Sequence, residues 1–358
     1  MRITHVIDKD SLDRHAPWLC EIFSGLTGLG VRQQLVGVDD EAWVRWFHRS
    51  GVLCHRPLMS MNRLSLMVPF LGYRRWLSRR LSLFDSMMLI AWGEQARDSV
   101  RHWEKEGVIK CCVFLDEMQN KGGRWDYRFV YQEALRRSLI HEQCGTEETI
   151  QCLPLAVSKH GRPCVLSDLK KRHAIPHSAL VAVLQASKWR DVDFVALLMA
   201  LKDQSSWYVW VAVDKSLVRD IESLSVHYGV RPRLRFVEDD GETHGSYVQA
   251  SDGVIFMNEE DIFRFELVRA WAYGKAVLAN KPLHLDGRLE GEGMVRLIEP
   301  QKQAWSQGLE TMRQGKAQGM AQRGYDFYVQ HFKPSVALPR WHACFRAILE
   351  RHTSKQAS

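Results

Sequence analysis

The sequence has no hydrophobic run long enough to cross a membrane. The apolar stretch from Leu64 to Tyr73 lies between two arginines. It has about half of the roughly 20 residues that a transmembrane helix needs. The first residues, MRITHVIDKDSLDRH, also lack the apolar core of a secretory signal. We therefore expect a cytoplasmic protein.

The sequence also lacks a recognisable metal site. It contains no Cys-x-x-Cys pair, and no cysteine has a histidine partner at zinc-binding spacing. We expect buried, reduced thiols, no bound metal and no cofactor. The eight cysteines are Cys20, Cys54, Cys111, Cys112, Cys144, Cys152, Cys164 and Cys344.

Acidic residues are missing from one long segment. Between Glu41 and Asp85 there are eight arginines and no acid, whereas the whole chain has a net charge of +7. The rest of the chain is therefore close to neutral. The arginines are Arg45, Arg49, Arg56, Arg63, Arg74, Arg75, Arg79 and Arg80.

This basic segment, Arg45–Arg80, also contains aromatic residues, and its second half has helical spacing. Tyr73, Trp76 and Phe84 recur on one side, and arginines fall on the other. A basic amphipathic helix of this kind is typical of proteins that bind an anionic membrane, a phosphorylated ligand or a nucleic acid. The alternative is a helix that packs on its own core with solvated arginines. We favour the membrane surface, because no nucleic-acid recognition motif accompanies the arginines.

A glycine-rich dinucleotide loop is missing after the first predicted strand. The run GLTGLG, from Gly25 to Gly30, resembles such a loop, but a phosphate-binding loop must follow a strand and begin a helix. Here the run follows a helical pattern and precedes a strand. We interpret it as the carboxyl-terminal end of a helix.

Strand and helix patterns alternate along the whole chain of 358 residues, which is long enough for two domains. Alternation of this kind indicates parallel strands joined by crossover helices. A stretch rich in proline and glycine, IQCLPLAVSKHGRP at residues 150–163, separates the two series. The sequence therefore predicts an α/β protein with two Rossmann-like domains and a ligand site in the cleft between them.

Two segments of the second series carry candidate anion-binding groups. A helix predicted from Ile262 to Tyr273 would begin with free backbone amides, which can hold a diphosphate without a metal. Lys188 and Arg190 lie at the start of another predicted helix, where an anion between them would offset their repulsion with the helix dipole. The alternative for this pair is two solvated surface charges.

Residues 246–280 resemble the donor half of the retaining GT-B glycosyltransferases of family 4. Residues on family positions are Phe263, Ala270, Ala272, Gly274 and Val277, and Asp252 falls where the family often has an acid. In the family's Glu-x7-Glu signature the first acid is Asp261 here, and the second position holds Arg269. The family's Pro-Ser is replaced by Met257-Asn258, and its two glycines by Ile262 and Arg264.

The resemblance implies a GT-B fold with donor and acceptor domains. It predicts an acceptor domain at residues 1–156, a nucleotide-sugar domain at residues 157–335, and a helix at residues 336–358 that crosses back to the first domain. Asp261 would bind donor-sugar hydroxyls. A guanidinium cannot accept a hydrogen bond from the ribose of the nucleotide, so Arg269 cannot make that contact. Glu266 is the alternative residue for it. Candidate donor-binding residues are Lys188, Arg190, Asn258, Ile262, Phe263, Arg264, Glu266 and Arg269.

In the first domain, Trp92, Gly93, Asp116 and Glu117 follow predicted strand ends. Asp116 would orient an acceptor hydroxyl, and the alternative is that this acid caps a turn. We expect a glycosyltransferase that transfers a sugar, with retention, from a nucleotide-sugar to a lipid-linked, lipopolysaccharide or surface-polysaccharide acceptor. It would dock on the inner face of the cytoplasmic membrane. The alternative is a catalytically degenerate GT-B protein that binds a sugar nucleotide or a protein partner.

Overall fold

The protein forms two units, each built around one sheet of parallel strands. The computed structural model describes residues 1–37, 41–55, 69–114, 124–131, 133–159, 165–186, 191–213, 215–237, 242–257, 265–280, 293–314 and 317–357. The first unit comprises Met1–Ala156 and Pro334–Ser358, and the second comprises Val157–Lys333. Within the described ranges, no helix combines the length and apolarity needed to span a bilayer.

The first unit contains a seven-stranded sheet with the strand order β3-β2-β1-β4-β5-β6-β7. Each neighbouring pair of strands in this sheet is parallel. Its elements are β1 (Arg2–Ile7), α1 (Lys9–Gly28), β2 (Arg32–Val36), α2 (Glu41–Arg49), β3 (Leu53–His55), α3 (Pro69–Ser82), β4 (Met88–Trp92), α4 (Glu94–Val100), β5 (Ile109–Val113), β6 (Tyr127–Val130), α5 (Glu133–His141) and β7 (Ile150–Cys152).

Helix α1 shows how local sequence sets the ends of an element. Asp8 is its N-cap, and the Asp8 side chain accepts a hydrogen bond from the Ser11 amide. At the other end the Leu29 amide donates to the carbonyls of Gly25 and Leu26, and Gly30 has a φ of 81°. The GLTGLG run therefore ends a helix, which confirms the prediction.

Three features of the first unit were not predicted from the sequence. Helix α4 ends at Val100, where the chain turns and Trp103 donates its amide to the Val100 carbonyl. Strand β6 was not predicted. The stretch interpreted as a linker begins with β7, whose first residue, Ile150, is fully buried at the edge of the sheet.

The second unit contains a six-stranded sheet with the order β10-β9-β8-β11-β12-β13, again parallel at each pairing. Its apolar strands are almost wholly buried, as expected when helices cover both faces. Its elements are α6 (Leu166–Arg172), β8 (Leu180–Ala186), α7 (Asp191–Asp203), β9 (Trp207–Val213), α8 (Lys215–His227), β10 (Leu234–Phe236), α9 (Glu242–Ala250), β11 (Gly253–Met257), α10 (Phe265–Ala272), β12 (Val277–Asn280), β13 (Arg296–Ile298), α11 (Lys302–Arg313) and α12 (Gln318–His331).

The last helix, α13 (Pro334–Ala357), belongs to the first unit. Trp341 of this helix is buried and donates its indole N–H to the Pro154 carbonyl at 2.7 Å. Its ring stacks on Trp92 with a centroid separation of 6.0 Å and an interplanar angle of 19°. The end of the chain is thus part of the first unit's core.

Candidate functional site

In the second unit the strand order reverses between β8 and β11, which is where open parallel sheets bind ligands. Ala186 and Met257, the last residues of these two strands, are paired in the sheet register. Residues 187–190 and 258–264 follow these two strand ends in the sequence and lie outside the described part of the chain. These segments contain most of the candidate donor-binding residues.

Eight of the ten candidate residues lie outside the described part of the chain. The six in the two segments just named are Lys188, Arg190, Asn258, Ile262, Phe263 and Arg264. The two expected catalytic acids, Asp116 and Asp261, also lie outside it. Glu266 and Arg269 are the two that the structure places.

Glu266 and Arg269 both lie on α10, which follows β11. Glu266 is half-buried and lies in the first turn, where a negative charge interacts favourably with the helix dipole. Arg269 is only 3% exposed, and its guanidinium carbon lies 4.6 Å from the ring centroid of Phe265. One turn later, burial raises the pKa of Tyr273, and the positive charge of Arg269 opposes that increase.

The carboxyl edge of the second unit also contains buried polar side chains that the sequence analysis missed. Asn280, the last residue of β12, donates its side-chain amide to the Asp193 carboxylate in the first turn of α7 at 3.1 Å. Gln185, near the end of β8, is buried as well. The available signal was a polar residue at the end of each apolar strand, in the sequences LVAVLQA and VLAN.

In the first unit the strand order reverses between β1 and β4, and Asp8 and Gly93 follow these strands. The Asp8 carboxylate accepts one hydrogen bond from the Ser11 amide at 2.7 Å and one from the Ala96 amide at 3.3 Å. Asp8 therefore joins the starts of α1 and α4. The glycine-rich loop that is missing after the first strand is thus replaced by this acid, which the sequence did not reveal as a link between two helices.

Trp92, which the sequence predicts to follow a strand end of the first domain, is instead a core residue within that strand. It is the last residue of β4, it is fully buried, and its indole N–H donates to His5 Nδ1 at 3.0 Å. Its ring also packs against Trp18 and Phe23. An indole with these contacts has no exposed surface for a ligand, so the expectation for this residue was wrong. Glu117 lies outside the described residues.

The basic segment has an apolar side that packs on the first unit's own core. Leu77, Leu81 and Phe84 are buried in that core, and Trp76 packs against it. The arginines whose side chains are described remain exposed. These are Arg45, Arg49, Arg79 and Arg80. A partner of this surface would therefore meet arginines rather than the apolar side of α3.

No family model matches the sequence, and no curated protein sequence is significantly similar to it. Solved structures, in contrast, match nearly its whole length. The first is a glycosyltransferase from Rickettsia africae, at 12% identity with a TM-score of 0.77, covering 97% of this chain and 98% of that one. The chain has a GT-B fold.

Two further GT-B structures contain sugar nucleotides. Anabaena HepE in complex with UDP-glucose has 13% identity and a TM-score of 0.73, and the match covers 96% of this chain and 99% of HepE. The UDP-GlcNAc 2-epimerase from Neisseria meningitidis bound to UDP-GlcNAc has 11% identity and a TM-score of 0.63, covering 97% and 100%. The predicted fold class, α/β with two Rossmann-like GT-B domains, is thus confirmed. Enzymes that act on sugar nucleotides share it.

Proposed function

We propose that this protein is a glycosyltransferase that takes a sugar from a nucleotide donor bound at the carboxyl edge of its second unit. The observation that carries the proposal is the register pairing of Ala186 with Met257 at the strand-order reversal of a GT-B fold. The sequence after Ala186 contains the two cations, and the helix that follows β11, α10, begins at Phe265 and offers its first amides to a diphosphate. UDP is the first nucleotide to test, because the sugar-nucleotide complexes among the similar structures contain it.

Within this proposal each donor contact has a chemical reason. Lys188 and Arg190 neutralise the diphosphate together with the amides of Ile262 to Phe265, so a metal is not required. Asp261 accepts hydrogen bonds from the transferred sugar. Glu266 is better suited than Arg269 to bind the ribose hydroxyls, because a carboxylate accepts hydrogen bonds and the guanidinium only donates them.

The acceptor side of the proposal rests on the first unit. Asp116 orients the acceptor hydroxyl, and the acceptor is a lipid-linked, lipopolysaccharide or surface-polysaccharide sugar. The exposed arginines of the Arg45–Arg80 segment bring the enzyme to the anionic inner face of the cytoplasmic membrane. Transfer with retention follows the resemblance to family 4.

A nucleotide-binding experiment tests the donor site directly. Melting temperatures are measured with UDP, GDP, ADP, dTDP and CMP, each with and without EDTA. A nucleotide at about 100 times its dissociation constant should stabilise the protein by roughly 2.7 kcal/mol. We expect UDP to raise the melting temperature equally in the presence and absence of EDTA. A protein that binds none of the five nucleotides would contradict the proposal, and a strict magnesium requirement would contradict the metal-free site.

Variants of the cations locate the bound diphosphate. Lys188→Ala and Arg190→Ala should each weaken UDP binding measured by calorimetry, while the melting temperature without nucleotide stays unchanged. Lys171→Ala with Arg172→Ala is the matched control, because these exposed cations end α6 in the same unit. Full UDP affinity in the Lys188→Ala, Arg190→Ala double variant would place the diphosphate elsewhere.

Turnover separates an enzyme from a degenerate binding protein. Asp261→Asn should lower the rate of sugar transfer while UDP affinity stays nearly unchanged, because the carboxylate contacts only the transferred sugar. NMR of the product gives its anomeric configuration. Tight UDP binding without turnover of any sugar nucleotide would favour the degenerate GT-B protein, for which the Arg269 substitution is the supporting observation.

A further inference from the structure

Two buried side chains at the carboxyl edge of the second unit, Asp193 and Asn280, form one hydrogen-bonded pair. We propose that this pair positions the donor-binding segments, so that nucleotide affinity depends on it although neither side chain touches the nucleotide. The inference rests on the proposed function, since it assumes that the donor binds at this edge.

The pair joins two elements that are distant in sequence. Asn280 Nδ2 donates to Asp193 Oδ2 at 3.1 Å across 87 positions of the chain, and both residues have 0% exposure. Asp193 lies in the first turn of α7, and residues 187–190 directly precede that helix. Asn280 ends β12. The bond thus fixes the start of the helix that follows Lys188 and Arg190 against the edge of the sheet.

Stability alone does not explain a polar pair at this place. Its neighbours along α7 and β12, Phe194 and Leu278, belong to the apolar core of the unit. Burying a carboxylate among such residues costs desolvation energy, and apolar residues of similar size are often as stable or more stable. What a hydrogen-bonded pair adds is direction, because the bond is strong only when the N–H points at its acceptor.

The charge of Asp193 also suits its place on the helix. A carboxylate in the first turn of α7 interacts favourably with the helix dipole and counters the two cations that precede the helix in sequence. Breaking the bond would remove this link between the first turn of α7 and the end of β12. Binding groups held loosely by even about 1 Å lose much of their effect, so nucleotide affinity should fall.

Three variants test the pair through the dissociation constant of UDP, measured by titration calorimetry on the full chain. Asn280→Leu removes the donor, and Asn280→Asp places a second carboxylate against the first. Each should weaken UDP binding by about tenfold. The exchange of both residues, Asp193→Asn with Asn280→Asp, reverses donor and acceptor and keeps the charge. It should recover UDP binding to about twofold of the wild-type value.

The control is a carboxylate hydrogen bond at the opposite edge of the same sheet, which an exposed aspartate accepts from a backbone amide. The Asp252 carboxylate accepts a hydrogen bond from the Val181 amide at 2.8 Å, where β11 and β8 begin. Asp252→Ala should lower the melting temperature and leave UDP affinity unchanged. If Asn280→Leu behaves in the same way, or the double exchange fails to recover UDP binding, the pair is structural only and the inference is wrong. Wild-type protein that does not bind UDP at all would instead overturn the proposed donor site, and the inference with it.

Discussion

His5 lies at the centre of a buried hydrogen-bond network in the first unit. The Trp92 indole can only donate, so His5 Nδ1 accepts its N–H at 3.0 Å and the ring proton must be on Nε2. That proton is donated to Gln33 Oε1 at 3.1 Å, and Gln33 in turn donates to the Phe23 carbonyl. Each polar group of the imidazole is thus satisfied in its neutral form, and burial lowers the pKa of His5 to about 3.

This protonation state predicts how stability depends on pH. In the unfolded chain His5 binds a proton below about pH 6.5, whereas in the folded protein it stays neutral down to about pH 3. The contribution of neutral His5 to the free energy of unfolding is therefore complete above pH 6.5. It is lost as the pH falls toward 3, at up to about 1.4 kcal/mol per pH unit. Between pH 7.5 and 5.0, urea unfolding should show wild type losing about 2 kcal/mol more than His5→Gln.

The matched control for this prediction is an exposed histidine. His102 lies on the surface after α4, so His102→Gln should retain the wild-type pH dependence. Equal pH dependence in wild type and His5→Gln would mean that His5 accepts a proton in the folded state.

Gly93 is a second residue whose local geometry leads to a prediction. Its φ is 89°, and a Cβ atom there would overlap the side chains of Asp8 and Ser11. Gly93→Ala should therefore cost about 1–3 kcal/mol of unfolding free energy in a chemical denaturation measurement. Gly107→Ala is the control, because Gly107 also has a positive φ of 74° but has open space around the added carbon. If both variants lose the same stability, the contact with Asp8 is unimportant.

At the scale of elements, helix α3 packs in the core with one side and exposes arginines on the other. Leu77 and Leu81 pack in the core of the first unit, while Arg79 and Arg80 are exposed. Membrane association through this helix would consequently be electrostatic rather than by insertion of its apolar side. An attraction of that kind weakens with salt, since the Debye length is about 8 Å at physiological ionic strength.

Sedimentation with vesicles that contain acidic lipid tests whether the arginines bind a membrane. Binding should be abolished when Gln replaces Arg74, Arg75, Arg79 and Arg80, since each well-placed arginine contributes about 1 kcal/mol. The control removes the same number of positive charges from the exposed surface of the second unit. It combines Lys171→Gln, Arg172→Gln, Lys202→Gln and Arg219→Gln. If wild-type protein does not bind such vesicles at low salt, the prediction is wrong and the arginines are solvated surface charges.

The strands of the two sheets differ in how well the sequence predicts them. Apolar strands with helices between them, such as β4 and β8, were predicted because full burial produces a continuous apolar run. The short strands β6, β7 and β13 were not predicted. They have three or four residues each and contain the polar residues Arg128, Gln151 and Arg296, so none is a continuous apolar run.

The candidate site was predictable only in part, for a related reason. Lys188 and Arg190 could be selected because they follow an apolar run and begin a helical pattern. The Asp193–Asn280 bond could not, because its partners are 87 positions apart and only the folded sheet brings them together. Asp8 was overlooked because an acid after a strand is a common helix cap.

At the scale of the whole molecule, the chain passes between the two units twice, at residues 156–157 and 333–334. On the second unit's side the two passages are joined, because the Val157 amide donates to the Phe332 carbonyl at 2.9 Å. The Tyr328 hydroxyl donates to the Val157 carbonyl at the same distance. After this point α13 completes the first unit, so the first unit's core contains residues from both ends of the sequence.

This organisation predicts that the two units lose stability separately. Trp341→Ala removes a buried indole from the first unit, which should cost about 3–5 kcal/mol and lower that unit's melting temperature by about 10 °C in calorimetry. UDP affinity should stay at the wild-type value, because the proposed donor site lies in the second unit. Trp305→Ala is the matched variant, since Trp305 is fully buried in the core of the second unit. Trp305→Ala should lower the melting temperature of the second unit, whose unfolding transition is the one that UDP stabilises. A loss of UDP affinity in Trp341→Ala would contradict this prediction and show that nucleotide binding depends on both units.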